Sequence, residues 1–345
     1  MYQEFYNLKE YPFRLSPDPA FICMTEQHRE ALSGLIYSVC ARPGLSVLIG
    51  EAGTGKTTVL YTLLALLGRR QYLAAMCTNP TLSREEFYDF MLLKFGVSSA
   101  STSKARQLLA LEESLKRSRA EGSAAVLIVD EAQTLPVELL EEVRLLLNLE
   151  TPREKLLEIV LAGQPELSET LRRKELRQLK QRVGCLYTLK PLNPQQVGDY
   201  LHHRLTQAGR PERALFSEPA VELIYTYSGG IPRLINTLAD AALRTGFALH
   251  SASITPLIVE EAARELELAP VAAPGPTMPD NDVLACMDAK LRENKLTESS
   301  AGSAGINEEG VPLESCRQKS LGFFAQWVGD GSKQPSDRWI LGLGS

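Results

Sequence analysis

The chain has 345 residues and a net charge of −5, with 44% hydrophobic and 23% charged residues. That balance is globular, leaves room for one large or two moderate domains, and offers nucleic acid no overall basic charge, only the chance of a local basic patch. Its six cysteines (Cys23, Cys40, Cys77, Cys185, Cys286 and Cys316) form no C-x-x-C pair, which argues against a zinc or disulfide framework and for free thiols in a reducing cytosol.

The opening MYQEFYNLKEYPF carries acidic residues early and has no apolar run, so it does not read as an export signal. The longest apolar runs, such as Val59 to Leu67, fall far short of the ~20 residues a membrane span requires. A cytoplasmic chain with no membrane span is expected.

Strand and helix signals alternate from about residue 45 to 190. LSVLI (45–49) reads as a strand, followed by a Gly-rich turn and the helical run KTTVLYTLLALL, which Gly68 is expected to stop. YLAAMC (72–77), AAVLIV (124–129), LLEIVLA (156–162) and VGCLYTL (183–189) read as four more strands. Between them, Leu139, Leu140, Val143, Leu146 and Leu147 follow the i, i+3, i+4, i+7 spacing of a buried helical stripe. Apolar strands joined by helices predict an α/β fold, a three-layer sandwich with a parallel sheet covered on both faces.

After residue 190 the strand signals stop. Four helical stretches follow, each introduced by Ser, Thr or Pro, and predict a small all-helical lid over 190–268 beside a first domain over 1–189. APVAAPGPTMPD then reads as a stiff Pro-rich linker, and the tail to 345 holds one expected short helix near 282–296 and both tryptophans, Trp327 and Trp339. The tail reads as a disordered end or as a docking segment that orders on a partner.

GEAGTGKT (50–57) lies between the first strand and the first long helix and fits G-x-x-x-x-G-K-S/T. Its glycines, Gly50, Gly53 and Gly55, let successive backbone N–H groups turn inward on phosphate oxygens, and the helix behind brings its positive end to the same place. The stretch Gly50, Glu51, Ala52, Gly53, Thr54, Gly55, Lys56, Thr57 and Thr58 is therefore the expected ATP-binding loop. Lys56 suits the β- and γ-phosphates, and the Thr57 hydroxyl suits Mg²⁺. In VLIVDEAQ (126–133) a buried strand delivers Asp130 to the carboxyl edge of the sheet, where it suits Mg²⁺ through its water shell. Glu131, one residue on, suits the polarising of an attacking water.

These motifs occur in order with FYNLKEYPFRLSPDPAFICMTEQHREAL, LAGQPEL, LRQLKQRV and SGGIPRLIN. Together they resemble the AAA+ ATPases of the ExeA/GspA (general secretion pathway protein A) type, with the TniB and TnsC transposition ATPases as more distant relatives. The resemblance covers roughly 1–268 and implies roles for three more residues. Gln164 falls where a polar sensor contacts the γ-phosphate or lytic water. Arg182 resembles an arginine finger acting in trans in a homo-oligomer, and Arg233 resembles the second sensor reaching from the lid. Secretion-type members continue into a membrane helix and a periplasmic peptidoglycan-binding domain. No segment of this sequence resembles either, so partner contact is expected of the tail.

The function expected is ATP hydrolysis driving assembly or remodelling of a secretion- or envelope-related protein complex. The alternative is a nucleotide-switched regulator of the TniB/TnsC kind that binds duplex DNA. Arg172, Arg173, Lys174, Arg177 and Lys180 are the candidate basic face, although such a run is also what a solvated helix looks like.

Overall fold

The computed structural model describes residues 2–15, 21–70, 72–78, 81–97, 103–152, 154–211 and 215–271. The expected helix near 282–296, the two tryptophans, Cys286 and Cys316 lie outside them.

After a single turn, α1 (Tyr2–Phe5), the chain enters α2 (Glu26–Ala41) and then β1 (Leu45–Gly50). The helix after β1 is α3 (Lys56–Arg69), which runs through Gly68 rather than ending there. A single glycine costs a helix only about 1 kcal/mol, and the buried stripe Val59, Leu60, Leu63, Leu66 and Leu67 outweighs it. β2 (Leu73–Cys77), α4 (Arg84–Lys94), α5 (Lys104–Ala120), β3 (Ala125–Val129) and α6 (Val137–Leu146) follow. β4 (Leu157–Gly163), α7 (Pro165–Leu171), α8 (Arg177–Gln181) and β5 (Val183–Leu189) complete the alternation.

The five strands pair in parallel in the order β2-β3-β4-β1-β5. Alternate side chains along a strand face opposite ways, and here both ways are covered. Leu48, Val126, Ile128, Val160 and Ala162 pack under α2 and α3. Val47, Ile49, Ala75, Leu127, Val129, Ile159 and Leu161 pack under α4 to α8. This is the three-layer α/β sandwich expected from the strand pattern, and it brings the ends of β1, β3 and β4 to one edge.

Beyond β5 the described residues form four helices: α9 (Pro194–Gln207), α10 (Glu218–Ser228), α11 (Pro232–Ala248) and α12 (Pro256–Glu265). Each has proline in its first turn, where the missing N–H is no loss. Asn193 and Gln196 add a reciprocal capping box to α9.

The core these helices form also takes in the start of the chain. Tyr2, Tyr6, Leu8, Phe13 and Phe21 are buried among Leu201, Ile224, Leu238 and Ile258. Arg204, itself buried, fastens this strap by donating to the carbonyls of Pro12, Phe21 and Arg14.

Candidate functional site

The loop after β1 folds back on itself because its glycines take backbone conformations closed to other residues: Gly53 has φ +83° and Gly55 φ +101°. Thr54 braces the turn with its hydroxyl on the Glu51 carbonyl, 2.8 Å. Lys56 opens α3 and is 4% exposed; its ammonium reaches the carbonyls of Gly50 at 2.7 Å and Glu51 at 3.0 Å. Burial pulls that ammonium below the usual lysine range, against the opposing fields of Glu131 and Asp130.

One residue on, the Thr57 hydroxyl donates to Oδ2 of buried Asp130 over 2.7 Å. Asp130 stands at the end of β3, its N–H bonded to the Cys77 carbonyl of β2. A hydroxyl and a carboxylate side by side are hard oxygen donors, the set Mg²⁺ takes, so the residues present fit that ion. Glu131 follows with φ +52°, a left-handed conformation in which its N–H bonds Oδ1 of Asp130, 2.9 Å. That turn separates two successive carboxylates, aiming Asp130 at Thr57 and Glu131 at Gln133 and Gln164. Gln133 Nε2 donates to Oε2 of Glu131 at 2.6 Å, and Gln164 Nε2 lies 3.4 Å from the same oxygen. Gln133 Oε1 accepts from the Gln164 backbone N–H, 3.0 Å, tying the end of β4 to the end of β3.

From the helical layer, the first turn of α11 comes down on this loop. The Arg233 N–H approaches the Gly53 carbonyl at 3.3 Å, and a Cβ built on Gly53 would sit 2.7 Å from that of Arg233. The Arg233 side chain is exposed.

Residues 40–171 match the profile of the AAA domain family. Over 267 residues the sequence is 40% identical to general secretion pathway protein A of Aeromonas hydrophila, covering 77% of this chain and 48% of that one. The chain thus carries an AAA domain and is similar over most of its length to secretion protein A. It spans about half the length of that relative.

The fold is also that of the Drosophila ORC bound to DNA, with TM-score 0.60, 17% identity, and 99% of this chain and 83% of the other covered. The ORC2 protein of Aeropyrum pernix, solved in ADPNP and ADP complexes, gives TM-score 0.55 at 16% identity, covering 91% and 90%. Both likenesses are of fold alone.

In this AAA domain the residues from Gly50 to Thr58, Asp130, Glu131 and Gln164 gather at one edge of the sheet, with Arg233 beside Gly53. Arg182 does not join them. It precedes Val183, which pairs with Leu45 at the start of β1, whereas Gly50 at the end of β1 pairs with Leu189. With about 3.3 Å per strand residue, Arg182 lies across the sheet from its own chain's loop. Its Nη1 is buried without a hydrogen-bond partner among the described residues. Glu150 feels its field but is bonded to Lys155.

Two site residues carried no role in the sequence reading. Gln133 stands in the quoted VDEAQ, and its spacing two after Glu131 was the available signal. His28 stands in TEQHREAL, where a lone histidine in a helical stretch signals nothing. Its ring is 4% exposed, with Nε2 2.8 Å from the Thr54 carbonyl and Nδ1 2.5 Å from the Thr25 hydroxyl.

No helix among the described residues is long and apolar enough to cross a membrane.

Proposed function

We propose that this chain binds ATP with Mg²⁺ and hydrolyses it, as an assembly or remodelling ATPase acting on a protein complex related to secretion. The observation that carries the reading is the meeting of Lys56, the Thr57–Asp130 pair and the Glu131–Gln133–Gln164 network at one sheet edge.

In this reading the loop N–H groups from Gly50 to Thr58 hold the phosphates, and the Lys56 ammonium moves from the loop carbonyls to the β- and γ-oxygens. Thr57 and Asp130 would hold the Mg²⁺, which when bound neutralises phosphate charge. Glu131 takes up the attacking water on Oε1, with Gln133 and Gln164 fixing the carboxylate's orientation through Oε2. The sheet layers are the ATPase body, α9 to α12 the lid, and Arg233 the lid's contact with nucleotide. Arg182, out of reach of its own site, serves a neighbouring subunit as the arginine finger of a homo-oligomer. We place the protein in the cytoplasm, with residues 269–345 and their two tryptophans as the stretch that meets a protein partner.

A second reading, a nucleotide-switched regulator on duplex DNA, is favoured by one observation. Arg172, Arg173, Lys174, Arg177 and Lys180 are all exposed, and none makes an ion pair among the described residues.

ATP turnover by the wild type and Glu131→Gln, with and without duplex DNA, tests both. Glu131-dependent turnover indifferent to DNA supports the assembly ATPase; stimulation by DNA supports the regulator. Absence of turnover under all conditions rejects hydrolysis.

A further inference from the structure

Two hydrogen bonds meet on the buried ring of His28, and their chemistry assigns its protons. A carbonyl oxygen only accepts, so the contact with Thr54 requires the hydrogen on Nε2. Nδ1 then carries a lone pair, which takes the hydrogen of the Thr25 hydroxyl. The charged ring makes both contacts as well, since a hydroxyl oxygen accepts, but burial disfavours it and holds the imidazole below the usual histidine range; in the neutral ring the pair of contacts is complete only with the hydrogen on Nε2.

The position of this ring is unusual in what it touches. Thr54 lies inside the phosphate-binding loop, and a Cβ built on the next residue, Gly55, would stand 2.7 Å from Nε2 of His28. The loop is thus pressed against the imidazole, with a backbone carbonyl held toward α2. Holding that carbonyl outward keeps its negative end away from the phosphates and leaves the neighbouring N–H groups to face them. The adjacent residue makes a matching contact with the other wall. The Gln27 amide brackets Lys190, donating to its carbonyl and accepting from its N–H, each at 2.9 Å, where β5 leaves the sheet for α9. Thr25, at the start of this turn, lies four residues beyond Phe21, whose carbonyl is held by Arg204 in the helical core.

We propose that His28 is a positioning residue for nucleotide binding: the first turn of α2 holds the phosphate loop in its binding shape through the Nε2–H to Thr54 carbonyl bond. The inference rests on the reading of the loop as the ATP site. It assigns no chemistry to the ring, which acts through the loop backbone and not on the substrate.

Two near-isosteric variants separate this role from a packing role. In His28→Gln the amide nitrogen occupies the place of Nε2 and can still donate to Thr54. In His28→Asn the amide lies at the place of Nδ1, so the Thr54 contact is lost. Fluorescent N-methylanthraniloyl-ADP is titrated against the wild type and both variants with Mg²⁺, and melting curves are recorded without nucleotide. His28→Asn is expected to bind about tenfold more weakly or worse, and His28→Gln within about threefold of wild type, at closely similar melting temperatures.

Equal affinity in all three proteins overturns the proposal. So does equal loss in both variants accompanied by equal loss of melting temperature. Should His28→Asn not fold, Thr25→Val replaces it, since the Thr25 hydroxyl makes no helix-cap bond. That variant releases the tautomer and is expected to weaken binding severalfold; unchanged affinity overturns the proposal. A wild type that binds no nucleotide rejects the ATP-site reading and this inference with it, whereas binding that His28→Asn shares rejects this inference alone.

Discussion

The Thr57 hydroxyl and the Asp130 carboxylate, 73 residues apart in the chain, meet over 2.7 Å between the first turn of α3 and the end of β3. Removing the Asp130 charge leaves the hydroxyl and the hard-donor pair incomplete. Asp130→Asn is expected to lower the Mg²⁺-dependent part of nucleotide affinity about 10–100-fold. Titration of nucleotide with Mg²⁺ and with a chelator measures that part directly; an unchanged difference between the two rules the pair out as the ion's seat.

If the chain hydrolyses ATP as proposed, Glu131 and Gln133 separate catalysis from binding. Glu131→Gln is expected to lose about 10²–10⁴ in turnover while keeping nucleotide affinity. Gln133→Leu leaves the carboxylate in place but unfastened from the end of β4. Its kcat should fall about tenfold with KM little changed, because the loss is of orientation at the reacting centre. Steady-state kinetics on the two variants decide it.

Gly53 and Gly68 call for opposite outcomes from the same substitution. At Gly53 the backbone has φ +83° and a Cβ would collide with that of Arg233. Gly53→Ala should destabilise by about 1–3 kcal/mol and part the lid from the loop. A Cβ at Gly68 meets nothing within 4 Å in an ordinary helical turn. Gly68→Ala should stabilise by about 0.5–1 kcal/mol. Chemical denaturation of the two variants gives both signs.

Glu158 lies 3% exposed on β4, accepting from the Gly44 N–H at 2.8 Å and lying 3.4 Å from the Ser46 hydroxyl. Burial pushes its carboxyl up from 4.5 to about 8, against the hydrogen bonds and the fields of Arg42 and Lys155. The folded state therefore binds a proton that the unfolded chain has released. Its contribution is fully present below pH ~4.5 and is lost as pH rises to about 8, at up to about 1.4 kcal/mol per unit. Glu158→Gln, neutral at every pH, should flatten that slope in denaturation curves between pH 5 and pH 8; an unchanged slope assigns the dependence elsewhere.

Arg182 in trans predicts complementation. Lys56→Ala and Arg182→Ala should each be inactive alone, yet a mixture should recover part of the turnover by pairing an intact loop with an intact finger. No recovery from mixed subunits that co-assemble by light scattering removes Arg182 from the site.

Much of this protein is written in short stretches. The five strands are apolar runs of five to seven residues, and β5 spans the expected Val183–Leu189. The loop from Gly50 to Thr58 and the Asp130–Glu131 pair are legible because strand, turn and helix signals sit within a few residues of the groups they aim. Gln164 could be placed only through the family pattern, and it arrives beside Glu131. Gly68 was legible as a glycine but not as a tolerated one, since the stripe that overrules it acts through packing against the sheet.

Tertiary structure alone decided what depends on segments far apart in the chain. The order β2-β3-β4-β1-β5 follows from which apolar faces bury one another, and no local spacing encodes it. Tyr2, Tyr6, Phe13 and Phe21 pack into the core of α9 to α12, far downstream in the chain, where the buried Arg204 holds the carbonyls of Pro12, Arg14 and Phe21. His28 lies in the first turn of a helix whose sequence says nothing of the loop after β1. It meets Thr54 because α2 packs beside α3 on the same face of the sheet, which brings the start of one helix against the turn that opens the other.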